Sequence, residues 1–277
     1  MRVLITGAAT GFGRGAALEL AQRGHDVLAA VQIAPQATEL LAAAAGRGVH
    51  LQVLVLDVTD ATDVAVVARE DLDVLVNNAG VMETGPVAEI PLARVRRNFE
   101  VNVFGTLAMC QAVVPRMVAR GSGRIVNVSS MGGLVTVPLA AAYTATKHAL
   151  ESLSEGLKAE LTGTGVQVCT LNPGLFGTGF NDRGAETMLR WFDPAASFSP
   201  PQLLAGLSEG LREQLDPAVA VEALVNVVEA ESPMFRTVVP EGIVPWIQAV
   251  QQRAWRARTD EDLFADPAAS ADQPAVL

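Results

Sequence analysis

The chain opens on M-R-V-L-I-T-G-A-A-T-G-F-G-R-G, and no other stretch restricts its folding options as strongly. Val3 to Ile5 form a short apolar run, Gly7, Gly11 and Gly13 break it, and a helical stretch follows from Arg14 to Arg23. The order strand, tight turn, helix brings backbone N–H groups to the positive end of a helix, where glycines leave room for a diphosphate. A plain glycine-rich βα turn would satisfy the local pattern as well. What favours dinucleotide binding is position, at the head of an alternating βα series.

That series runs through Val3–Thr6, Val27–Val31, Leu51–Leu56, Val74–Val76, Arg124–Val128, Gln167–Leu171 and Arg236–Val239, with helical periods between nearly all of them. The expected fold class is therefore α/β, a doubly wound parallel sheet of about seven strands with helices on both faces. Right-handed crossovers place the ligand outside the carboxyl ends of the strands, where the strand order reverses. Gly7, Asp57, Asn78, Ser130 and Pro173 each follow a strand directly, as that rule requires. The 277 residues show no Pro/Gly/Ser-rich linker and read as one domain. Half are hydrophobic and only 5% are aromatic, which suits a core of Val, Leu and Ala.

Tyr143 and Lys147, in Y-T-A-T-K, lie one helical turn apart on one face. A phenol titrates near pH ~10 and needs a neighbouring positive charge to exchange protons at neutral pH. Alone, the pair reads better as a half-buried Tyr beside a solvated Lys. Its company is N-N-A-G at Asn77 to Gly80, Asn102 in N-V-F-G, Ser130 closing R-I-V-N-V-S-S, and Asn172-Pro173-Gly174 followed by Thr178. With the spacing T-G-x-x-x-G-x-G at the first turn, these motifs resemble the short-chain dehydrogenase/reductase family, in its order and spacing, from residue 1 to about 178.

The resemblance implies a Rossmann-type NAD(P)-dependent oxidoreductase moving hydride between nicotinamide and a ketone or secondary alcohol. Tyr143 would give and take the proton. Lys147 would lower its pKa and hold the nicotinamide ribose, and Ser130 would hold the substrate oxygen. Ser129 would be structural. Asn102 would anchor a water linking Lys147 to solvent, a role compatible with bridging backbone groups at a helix kink. For the cofactor, Gly7, Thr10, Gly11, Phe12 and Gly13 would meet the diphosphate, and Asp57 with the N–H of Val58 the adenine. Asn78, Ala79 and Gly80 would lie beneath a ribose, and Pro173, Gly174, Phe176 and Thr178 at the nicotinamide amide. The second strand ends in Val31 and Gln32, with no acid to favour NAD(H), and Arg14 lies past the glycine turn; the balance tips to NADP(H), with NAD(H) left open.

On the substrate side an insert from about 175 to 216 holds Phe176, Phe180, Met188, Leu189, Trp191, Phe192 and Phe198, interrupted by Pro194, Pro200 and Pro201. It reads as a lid over an apolar pocket, with Phe180, Trp191 and Phe192 around the substrate; a helix pair packing its own small core is the other reading. An extension from about 241 to 277, with Trp246 and Trp255, has no evident role. The stretches Leu92–Ala119 and Tyr143–Leu161 are apolar round much of their circumference, and the resemblance implies pairing with their copies in a homodimer or homotetramer. A monomer covered by its own C-terminal segment is the alternative.

A net charge of −10 speaks against nucleic acid and anionic membranes as partners. A strand at once after Met1, and apolar runs short of a span of roughly 18 residues, point to the cytoplasm. Cys110 and Cys169 read as buried hydrophobes, and His25, His50 and His148 lack ligand spacing, so no metal is expected. Two other functions compete. A sugar-nucleotide epimerase or dehydratase shares Tyr-x-x-x-Lys, but its chains usually run longer, carry G-x-x-G-x-x-G and add a substrate domain. A dinucleotide-binding regulator would keep the fold without catalysis, a reading that intact Ser130, Tyr143 and Lys147 oppose.

Overall fold

The computed structural model describes residues 1–200, 213–261 and 263. Seven parallel strands form one sheet: β1 (Arg2–Ile5), β2 (Asp26–Val31), β3 (Gln52–Val55), β4 (Val74–Asn77), β5 (Gly123–Val128), β6 (Val166–Pro173) and β7 (Arg236–Val239), in the order β3-β2-β1-β4-β5-β6-β7. All seven lie where periodicity predicts them, within two residues at each end. The chain runs outward from β1 to β3 and then crosses to β4, so the order reverses between β1 and β4. Their carboxyl ends lead into Gly7 and Asn78, the place this topology reserves for a ligand.

Alternation along the strands feeds two cores. Val3 and Ile5 point to one face with Val27, Val31, Val76 and Leu171, beneath α1 (Gly11–Gln22), α2 (Ala34–Gly46) and α8 (Pro217–Glu229). Leu4, Leu28, Leu75 and Ile125 point to the other, beneath α3 (Ala61–Val67), α5 (Thr106–Arg120) and α6 (Ala141–Glu160). Burial on both faces is why these strands read as near-continuous apolar runs. Cys169 lies in the first core and Cys110 in the second, both as free thiols that burial pushes up to about 12. They behave as small hydrophobes.

The helical stretch 92–120 consists of α4 (Leu92–Phe99), a π-helical turn (Glu100–Gly105) and α5. By length and composition it is apolar enough to cross a membrane, contrary to the expectation that no such stretch exists. Met109, Cys110, Val113 and Met117 nevertheless pack into the second core, which accounts for their apolarity. Leu92 and Phe104 remain exposed, at 68% and 52%.

The insert is closed at its base. Leu215 N–H donates to the Leu175 carbonyl and Gly177 N–H to the Leu215 carbonyl, each at 2.9 Å. Inside it, α7 (Phe180–Leu189) docks on the loop after β4: Thr84 Oγ1 donates to the Gly184 carbonyl at 2.8 Å and Thr84 N–H to Thr187 Oγ1 at 3.1 Å. The described part of the insert thus rests on the loop after β4. Pro201 and the rest of 201–212 lie outside the described residues, as do 262 and 264–277 of the extension. The described part of the extension forms α9 (Val244–Ala254), whose Ile247 and Val250 pack on Met131 and Val135, just past Ser130.

Candidate active site

β5 ends at Val128 and hands over to Ser129 and Ser130, after which a 3-10 turn (Met131–Gly133) leads toward α6. Ser130 Oγ accepts the Gly132 N–H at 3.0 Å, which fixes the turn that presents it. From α6, Tyr143 reaches the same place, close enough for the Ser130 hydroxyl to act on its phenol. Lys147 lies one turn later, its Nζ 5.8 Å from the Tyr143 ring centre and donating to the Val128 carbonyl at 2.8 Å. Tyr143 and Lys147 are both buried.

Burial sets the electrostatics. It pushes the Tyr143 phenol above its ordinary value, with the Ser130 hydroxyl acting the other way. It pulls Lys147 down to about 8, against the opposing charge of Glu151. The expectation that the ammonium would depress the phenol is therefore outweighed here by desolvation. Lys147 directs its Nζ at the Val128 carbonyl, not at the hydroxyl.

Asn102 sits in the π-helical turn, buried. Its Oδ1 accepts the Val81 N–H at 2.8 Å, and its Nδ2 donates to the Val81 carbonyl at 2.9 Å and to Thr146 Oγ1 at 3.0 Å. It staples the loop after β4 to the residue before Lys147, bridging them at an irregular helix.

At the first turn, Gly7 has φ +64°, and a Cβ there would come 2.7 Å from the Ala79 Cα. Asn78 Nδ2 donates to the Thr6 and Gly7 carbonyls, both at 3.0 Å, and Thr6 Oγ1 accepts the N–H groups of Asn78 and Ala79. The Asn78 amide thus holds the turn in shape. Thr10 occupies the N-cap position of α1 without a side-chain cap bond. The first N–H groups of α1 are accordingly free of side-chain acceptors, as an anion site requires. Gly11 faces Thr178 across the turn. Phe12 and Phe176 meet edge to face at 5.6 Å, and Phe176 is fully buried in the first core. Its ring is a packing element, set against Phe12 of the glycine turn. Pro173 and Gly174 close β6, and the Gly174 N–H is held by the Val239 carbonyl at 2.7 Å.

At the far end of the groove, Asp57 Oδ2 accepts from Gln32 Nε2 at 3.0 Å, and Oδ1 accepts from the N–H and hydroxyl of Thr59. Gln32 and then Thr59 hold the Asp57 carboxyl below its usual range. The cap of α3 is Asp60, not Asp57. Val58 is buried against Gly105. Val31 is turned into the core, whereas the Gln32 side chain reaches Asp57.

Of Phe180, Trp191 and Phe192, only Phe180 has its ring against Tyr143, with ring centres 5.9 Å apart. Trp191 packs on Gly85, at a distance that leaves no room for a side chain there, and Phe192 meets it edge-on at 5.8 Å. Gly85 is tied in turn to the Leu139 carbonyl by its N–H at 2.7 Å, four residues before Tyr143. Sequence reasoning passed over Glu151, whose signal was an acid two turns beyond Tyr143 on the same face of an apolar helix. Among the described residues no cluster of three or more His, Cys, Asp or Glu forms a metal site.

A glycine turn at the strand reversal, an uncapped helix N-terminus and a Ser–Tyr–Lys group at the next strand end fit a nicotinamide dinucleotide, and they define an oxidoreductase of the doubly wound α/β class. The chain belongs to the short-chain dehydrogenase family, whose sequence profile matches residues 1–188. It is 37% identical over 182 residues to the uncharacterized oxidoreductase YusZ of Bacillus subtilis, covering 63% of this chain and 65% of that one. It is 30% identical to a 3-ketodihydrosphingosine reductase of Bacteroides thetaiotaomicron, over 91% of this chain and 92% of the relative. A short-chain dehydrogenase from Sphingobium yanoikuyae, solved in complex with NADPH, superposes with a TM-score of 0.71 at 27% identity, covering 94% of this chain and 97% of that one. Like its family, this protein is an oxidoreductase that acts on CH–OH and C=O groups with a nicotinamide cofactor.

Proposed function

We propose that the protein is a ketoreductase or alcohol dehydrogenase for a hydrophobic ketone and its secondary alcohol, with Tyr143 as general acid and base. The observation that carries this reading is the meeting of Ser130, Tyr143 and Phe180: a hydroxyl pair able to hold and protonate one oxygen, beside an aromatic ring. When bound, the nicotinamide supplies or accepts hydride. Ser130 then donates to the substrate oxygen, Tyr143 moves the proton, and Lys147 balances charge near the phenol. Gly7, Gly11, Gly13 and the α1 N-terminus hold the diphosphate, and Asp57 with Gln32 the adenosine end. The full-length reductase relative from Bacteroides supports a long apolar carbonyl substrate. The test is oxidation of NADPH and of NADH against ketones graded by bulk and polarity; no turnover across the panel would favour the regulator.

Preference for NADP(H) is part of the proposal, supported by an amide rather than an acid at Gln32. Gln32→Asp should shift the NADPH/NADH ratio of kcat/KM toward NADH by about 10-fold or more, since one carboxylate gains a ribose hydroxyl and repels a phosphate. An unchanged ratio would move the reading of the ribose elsewhere.

Phe180 is proposed to line the substrate pocket, with Trp191 and Phe192 at its rim. Phe180→Ala should change the relative kcat/KM of bulky and small ketones while dinucleotide affinity holds. Uniform loss for every ketone, with a sharp fall in Tm, would make it a packing residue instead. We also propose that 1–277 is one domain, that the exposed Leu92 and Phe104 face is covered by a second copy, and that the free thiols belong to a reducing cytoplasm.

A further inference from the structure

We propose that Glu151 is a positioning residue of this site, joining the Tyr143–Lys147 face of α6, through Asn172, to the backbone that carries Ser130. The inference rests on the roles proposed above for Ser130, Tyr143 and Lys147.

Tyr143, Lys147 and Glu151 recur every fourth residue and share one face of α6. Glu151 is 5% exposed. Its Oε1 accepts from Asn172 Nδ2 at 2.7 Å, and its Oε2 accepts from Arg236 Nη2 at 2.7 Å and Nε at 3.1 Å. Asn172 is completely buried, and its Nδ2 donates a second time, to the Ser130 carbonyl at 3.0 Å, while its Oδ1 accepts from Thr170 Oγ1 at 3.0 Å. With both donors and the acceptor engaged, the Asn172 amide has a single orientation. That orientation holds the Ser130 carbonyl, and so the backbone from which the Ser130 hydroxyl meets Tyr143.

A buried carboxylate persists only when paired, and Arg236 provides the pair from β7, with Glu155 on its outer side at 3.0 Å. Replacing such a pair by apolar residues is often neutral or stabilising, so stability alone does not call for one here. The charge has a second use. Lys147 is surrounded by Tyr143 and Glu151 on its own helix and by the uncharged Val128 carbonyl of β5, with Arg236 and Glu155 beyond Glu151. Glu151 is the anion that supports the ammonium against burial.

The chain has two lysines, Lys147 and Lys158, so 13Cε-lysine labelling follows Lys147 directly in the ligand-free protein. Glu151→Gln and Glu151→Gln/Arg236→Met are compared with the wild type. In Glu151→Gln the Lys147 midpoint should fall below the wild-type value of about 8, and kcat should drop about 10- to 100-fold, the range for partners that orient a reacting group. KM for the ketone should change little. The double variant removes both halves of the Glu151–Arg236 pair, leaving neither unpartnered, so it should fold and recover Tm relative to the single variant, while kcat stays low and the midpoint stays below wild type. If kcat and the midpoint return to wild type in the double variant, or never change in the single one, Glu151 is only half of a structural ion pair. Should the single variant fail to fold, the double variant decides alone. A wild type that turns over ketones and loses this in Tyr143→Phe, beside an unaffected Glu151→Gln, would sink the role of Glu151 and leave the enzyme reading intact. A wild type without turnover would sink the enzyme reading, while the lysine titration would still test the hold of Glu151 on Lys147.

Discussion

Tyr143→Phe should lower kcat by about 100- to 10,000-fold, the loss typical of a missing general acid, while dinucleotide binding and Tm stay near wild type. The ring is buried and packs on Phe180, contacts that phenylalanine keeps, and the hydroxyl removed has Ser130 as its polar partner. Ketone reduction with saturating NADPH, alongside a dinucleotide titration by fluorescence, separates the two effects. Near wild-type turnover would end the proposed mechanism, because this is the chain's single tyrosine and no other phenol is available to replace it.

Lys147→Met is expected to trade activity for stability. Losing the ammonium removes the charge beside Tyr143 and the proposed ribose contact, so kcat/KM should fall by about 100-fold or more, as for a lost acid–base partner. Stability should move the other way. Folding lowers the Lys147 pKa from 10.5 to about 8, so at pH 7 the fold carries a charge that burial disfavours. The full shift corresponds to about 3 kcal/mol, less the hydrogen bond to the Val128 carbonyl. The sign follows from linkage: between about pH 8 and 10.5 the unfolded chain binds more protons than the folded one, so wild-type stability rises with pH across that window. In Lys147→Met that rise should vanish and Tm at pH 7 should increase. A variant less stable at pH 7, with the alkaline rise intact, would show that the lysine is no burden to the fold.

Much of this protein is legible in its residues. Val3 to Ile5 followed by Gly7, Gly11 and Gly13 can hardly be anything but a strand feeding a tight turn and a helix. Seven such apolar runs separated by helical periods specify a parallel sheet, because only strands buried on both faces lose the polar alternation. Tyr143 and Lys147 share a helix face by their spacing alone, and Ser130 follows a strand directly, so the meeting of all three was foreseeable.

What periodicity could not supply is orientation. Val31 and Gln32 are neighbours in sequence, but the pleat sends Val31 into the core and leaves only Gln32 beside Asp57. Phe176 and Phe180 belong to one aromatic series, yet the first is buried under Phe12 and the second lies on Tyr143, because the chain turns at Gly179 with φ +73° before α7 begins. Asn78, expected under a ribose, directs its side-chain amide to the carbonyls of the glycine turn. Sequence spacing determined which groups gather at the carboxyl ends of the strands, since that depends on local periods. Which way Asn78 and Asn172 direct their amides, and that Glu151 meets Arg236 from a strand 85 residues away, was decided only by tertiary packing, because long-range hydrogen bonds are made between segments whose proximity no local pattern encodes.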